Sequence, residues 1–257
     1  MTPASRSFGS RRVPWHLFRH DAATPSRLPA YGFVALFAIS ICLAYLCQRT
    51  FGAIAIWPAN GVLVAALLLL SRSKAVSVLL ICFAINIAFD LFVRGRSPSD
   101  TIVFATLNVF ESFAIAFLAR RVSGAGLRLD HPVRLLRFAL LAATPSVVVT
   151  AVVGLWLVDT PVDQFGLYLA SWISVELLGC LVIAPAIVIL ASGTERPDIT
   201  DRQRTAAYGL IAAACLLMTL ICMRWLPLPI AATLPILLLV ALRLTARQAA
   251  VAVLATT

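Results

Sequence analysis

The chain has 257 residues, 61% of them apolar and only 12% charged, with a mean hydropathy of +0.96. Soluble domains hold about 45–50% apolar and about 25% charged residues, so a soluble enzyme, a disulfide-framed secreted module and a disordered chain are excluded, and a polytopic membrane protein remains. Its 21 Lys and Arg against 11 Asp and Glu leave a net charge of +10, which membrane topology explains without nucleic acid.

Residues 1–29 form a polar, basic segment with Arg6, Arg11, Arg12, Arg19 and Arg27, and Pro14, Pro25 and Pro29 discourage a long helix there. The apolar run that follows is too long for a signal-peptide core and reads as an uncleaved first span. Residues 30–257 then alternate apolar runs with short breaks. A helix rises ~1.5 Å per residue and the hydrocarbon core is ~30 Å thick, so about 20 residues cross it. The runs predict spans over 30–48, 52–70, 75–93, 101–119, 135–158, 165–191, 205–224 and 228–243. All should be helical, since lipid offers no partner to open backbone groups. The run from Gln248 to Thr257 is too short to span. The expected fold is therefore an all-α transmembrane helix bundle of about eight spans plus a truncated ninth, a piece of a longer protein.

Lys and Arg gather in the cytoplasmic segments of such proteins. With the N-terminus inside, the outer segments carry only Arg49, Arg94, Arg96 and Arg224, and the rest of the 21 cations fall inside. This predicts a multi-pass membrane protein with a cytoplasmic N-terminus.

Acids and amides within the apolar runs are the informative residues. Asn86 and Asp90 share one face of the third run, Asn108 and Glu111 one face of the fourth; Glu176 follows Trp172 by one turn in the sixth, and Asn60 opens the second within Trp57-Pro58-Ala59-Asn60-Gly61. An acid at mid-bilayer costs ~2.5–3.5 kcal/mol on insertion scales. At ~1.5 Å per residue, Asn86 and Asn108 come out ~10 Å deep and Glu111 and Glu176 ~15 Å deep. The two amides are thus expected to face each other, with the glutamates below them and Asp90 nearer the surface. These seven residues are the candidate ligand-binding or sensing set. The bland readings are that the amides and glutamates are interhelical glue worth ~0.6–2 kcal/mol a pair, that Asp90 is an interfacial charge beside Arg94 and Arg96, and that Trp57 and Trp172 are interface anchors. Pro58 suits a helix start, because its missing N–H falls where a first turn leaves one unpaired.

The six cysteines, Cys42, Cys47, Cys82, Cys180, Cys215 and Cys222, lie in apolar runs without CxxC spacing, and His16, His20 and His131 form no ligand pattern. No Walker loop, HExxH or GxSxG is present. No catalytic residue, metal site or cofactor is assigned.

Four stretches carry a resemblance: Ile56-Trp57-Pro58-Ala59-Asn60-Gly61; Cys82-Phe-Ala-Ile-Asn86; Leu107-Asn108-Val-Phe-Glu111 leading to Leu118-Ala119-Arg120-Arg121; and Trp172-Ile-Ser-Val-Glu176-Leu-Leu-Gly179 running to Pro185. In this order, over residues 50–257, they resemble the type-one MASE family, bacterial membrane-associated sensor domains. Val175-Glu176 stands where the family usually carries Gly-Asp, and Asn60 where a Ser, Ala or Thr is common. The resemblance implies an input module fused to a cytoplasmic output domain (a diguanylate cyclase, a phosphodiesterase or a histidine kinase), with about two further spans beyond Thr257. The expected partners are the bilayer, a small ligand or proton, the output domain in cis and, by analogy with dimeric cyclases and kinases, a second copy of the chain. Two other readings stay open: a transporter or permease subunit using intramembrane carboxylates, and an anchor whose acids only pack helices.

Overall fold

The computed structural model describes residues 26–52, 56–123, 129, 132–158, 160–191, 251 and 254. They form α1 (Ala30–Phe51), α2 (Pro58–Leu69), α3 (Arg72–Phe92), α4 (Pro98–Ser123), α5 (Pro132–Phe138), a π-helical turn (Ala139–Ala143), α6 (Thr144–Leu157) and α7 (Val162–Ala191). Among the described residues five helices are long and apolar enough to cross a membrane: α1, α3, α4, the continuous α5–α6 element and α7. The all-α expectation holds for these residues. The runs predicted over 205–224 and 228–243, and most of the truncated ninth, lie outside them.

The second predicted span is corrected. Instead of a helix over 52–70 there is a helix of 12 residues, ~18 Å long by helical rise and too short for a ~30 Å core. Proline explains the shortening. Pro58 disfavours helical backbone at the preceding residue, and Trp57 takes φ −108° and ψ 87°. The Trp57 N–H leaves the helical pattern and donates to the Val175 carbonyl, 3.1 Å away in the middle of α7. The first turn of α2 therefore starts deep inside the bundle.

Helices α7, α4, α1 and α3 pack around this short helix. Only Pro58 and Leu67 of α2 are partly exposed; the rest is buried against α7, α4 and α1. The outward faces of the long helices carry apolar side chains instead, Ile39, Leu80 and Leu140 among them, all more than half exposed. That pattern suits a lipid solvent, and the buried polar residues cluster inside it.

Two glycines set the depth of α2. A Cβ on Gly179 would collide with the Trp57 carbonyl, and one on Gly61 would lie 2.5 Å from the Gly179 carbonyl oxygen. Small residues let helix backbones approach closely where lipid supplies no hydrophobic drive. At the opposite end of α2 the Arg120 guanidinium donates to the Leu67 carbonyl, placing a cation on the negative pole of the helix.

The fifth span is interrupted by a π turn. Pro145 has no N–H for the carbonyl of Leu141, and its ring crowds that carbonyl. The helix widens before it, with the Thr144 N–H bonded to Ala139, as π-bulges do. Ser146 Oγ donates to the Ala142 carbonyl at 2.8 Å.

Gly179→Ala should lower the unfolding temperature of the detergent-solubilised protein, at a cost of about 1–3 kcal/mol, the usual range for overpacking. Gly166→Ala, in the same helix with open space around it, should leave that temperature unchanged or raise it.

Candidate functional site

The break before Pro58 places Asn60 in the first turn of α2, at the level of Val175 in α7. Glu176 lies near the middle of α7 and Glu111 near the middle of α4. The Asn60 amide joins them. Its Nδ2 donates to Glu111 Oε1 at 2.9 Å and to Glu176 Oε2 at 3.0 Å, with Asn108 Oδ1 at 3.4 Å. A side-chain amide has two N–H donors, so each carboxyl takes one and Asn108 sits at the margin of the first shell. Asn60 is fully buried and Glu111 1% exposed.

Thr150 of α6 completes the cluster, with its Oγ1 2.5 Å from Glu111 Oε2. The same hydroxyl lies 3.0 Å from the Ser146 carbonyl and 3.1 Å from that of Val147. It has one proton, so it either bonds the carboxyl or bonds back to its own helix. Four elements, α2, α4, α6 and α7, thus meet through side-chain oxygens around one amide. Asn60 Oδ1 and, next in sequence to Glu111, Ser112 Oγ are buried with no protein partner among the described residues.

The electrostatics follow from the position. Both carboxyls stand beside the first turn of α2, where unpaired backbone N–H groups and the helix dipole favour negative charge. The described arginines that meet α2 and its N-cap make their polar contacts elsewhere. Arg120 is at the far end of α2, and Arg94 and Arg96 pair with Asp90. Among the described residues the cluster is oxygen-rich and contains no cationic side chain, a donor set suited to a proton or a small cation. Among the described residues no group of three or more His, Cys, Asp or Glu is placed to hold a metal ion.

Of the seven residues singled out in the sequence, the structure brings together Asn60, Asn108, Glu111 and Glu176. The expected Asn86–Asn108 pair does not form. Because α2 inserts beside α4, Asn60 takes the place facing Asn108, and Asn86, although buried, leaves its Nδ2 without a partner among the described residues. Asp90 sits at the α3–α4 connection, bonded to Arg94 at 3.4 Å and Arg96 at 3.2 Å. Trp172 packs on Phe104, ring centroids 5.3 Å apart, and over Gly154; it joins none of the cluster's hydrogen bonds. Trp57 is buried at the break rather than held at a surface. Thr150 was missed, since a threonine in an apolar helix normally satisfies itself on its own turn.

Asn60→Ala should destabilise the protein by about 1–3 kcal/mol, the cost of leaving buried partners unsatisfied, and Asn108→Ala by less, because its contact is longer. Equilibrium unfolding in mixed micelles measures both.

The family model described as MASE1 matches residues 27–257. No curated protein and no solved structure matches the chain.

Proposed function

The chain belongs to the MASE1 family, a family of membrane-associated sensor domains, and from that premise we propose that it is the input module of a bacterial signal-transduction protein whose stimulus acts on the cluster around Asn60. The observation that carries this reading is the bridging of Glu111 and Glu176 by one amide at the start of an interrupted helix. A proton or small cationic ligand that reaches the carboxyls changes the negative charge beside the first turn of α2. It also competes with Asn60 for the same oxygens. Packings that differ in the position of α2 then differ in their affinity for the stimulus, which is the one requirement for a ligand to shift a conformational equilibrium.

The proposed topology has the N-terminus on the cytoplasmic side of the inner membrane, in line with the cation count. The cluster is then reached from the outer half of the bundle. α2 runs inward to Arg120 at the inner end of α4, and the change passes to a cytoplasmic output domain, a diguanylate cyclase, phosphodiesterase or histidine kinase, that lies outside this chain. Such output domains act as dimers, so the sensor works as a homodimer in this reading.

One structural feature also favours the transporter reading: discontinuous helices whose N-termini point at a mid-membrane site are a recurring device of secondary transporters. Flux of protons or small cations in liposomes, abolished by Glu111→Gln, would mark that function.

In the intact signalling protein, Glu111→Gln and Glu176→Gln should fix cyclic-di-GMP or phosphorylation output at a constant level, with the response to the stimulus lost. Output that stays at wild-type level with and without stimulus removes both residues from the mechanism.

A further inference from the structure

A second polar site lies at the end of the bundle where α1 meets the α3–α4 connection. Tyr45, Gln48, Arg49 and Gly52 from the end of α1, with Arg94 and Arg96 from the connection, line an open cleft. No acid lines it. Asp90 stands behind it, 2% exposed, and its oxygens are divided, Oδ1 to Arg94 Nη1 and Oδ2 to Arg96 Nη1. One carboxylate therefore serves two guanidiniums.

The arginines are also held in place. Arg94 Nη2 donates to Gln48 Oε1 at 3.1 Å, which turns the Gln48 amide N–H groups away from that contact. Arg96 lies 4.3 Å over the Phe104 ring and Arg49 6.0 Å over the Tyr45 ring. Burial and the neighbouring Arg94 pull the Arg96 guanidinium below its ordinary value, and Asp90 and Asp100 offset this only in part. Three guanidiniums against Asp90 and the neighbouring Asp100 leave positive charge in excess, on donors whose planar forks match oxyanions.

We propose that this cleft binds a phosphate-type oxyanion through Arg49, Arg94 and Arg96. The site takes no residue from the Asn60 cluster and meets the start of α2 through Arg94, 5.8 Å over the Trp57 ring; it does not depend on the function proposed for that cluster. It lies at the end of membrane-crossing helices, where both a lipid phosphodiester and a soluble phosphate have access, and the two share the chemistry that the arginines recognise.

The test uses the full chain purified in a phosphate-free, non-ionic detergent. Inorganic phosphate is titrated by calorimetry, and retention of phosphatidylglycerol against phosphatidylcholine is read by native mass spectrometry. Saturable phosphate binding identifies a soluble anion; selective phosphatidylglycerol retention without phosphate binding identifies a lipid headgroup. In either arm Arg49→Gln should weaken binding about tenfold, the loss of one charge-assisted hydrogen bond. Arg49→Lys should keep most of it, and neither variant touches the Asp90 pairs, so the unfolding temperature should not move. Failure to bind either probe, or binding indifferent to Arg49→Gln, overturns the proposal.

Discussion

The Asn60 side-chain amide is the contact on which the interior of this bundle depends. Two carboxyls from different helices lie in a region where each costs several kcal/mol if left alone. One NH2 group satisfies one oxygen of each. The break before Pro58 fixes where that amide sits: the Trp57 N–H bonds to the Val175 carbonyl, and the first turn of α2, with Asn60, is thereby held beside the middle of α7.

The same break gives α2 opposite electrostatic partners at its two ends. Carboxyls stand at the positive pole and Arg120 at the negative one. Irregular backbone at membrane depth survives only where protein or a polar cavity covers it, and here the Trp57 N–H is covered by Val175 and its carbonyl by Gly179. A helix held by a backbone contact and a charge-dependent side-chain bridge responds to a change in that charge. The proposed sensory mechanism draws its energy from this dependence, and the basic cleft at the α1 end lies outside it.

Composition alone settled that the chain is a helical membrane protein, because lipid permits no other backbone solution for runs this apolar. The long helices fell where hydropathy placed them. The second run did not, since a hydropathy window averages over Pro58 and cannot see that Trp57 bonds to α7. Glu111, Glu176, Asn60 and Asn108 were legible as a polar set because each is expensive in hydrocarbon. Their connectivity was not, because it follows from the inserted half-helix, and the expected Asn86–Asn108 pair failed for that same reason. Thr150 carried no signal: its hydroxyl has an alternative partner on its own helix. Asp90 behaved as its neighbours Arg94 and Arg96 suggested.

A double-mutant cycle between Asn60→Ala and Glu176→Leu, which removes the acceptor, read as unfolding free energy in mixed micelles, tests the central contact most directly. The account predicts that the two changes are not additive, with a coupling of about 1 kcal/mol or more, as expected for a buried bond from an amide to a carboxyl. Costs that simply add would mean that the amide does not hold the carboxyl, and the site would lose its organising contact.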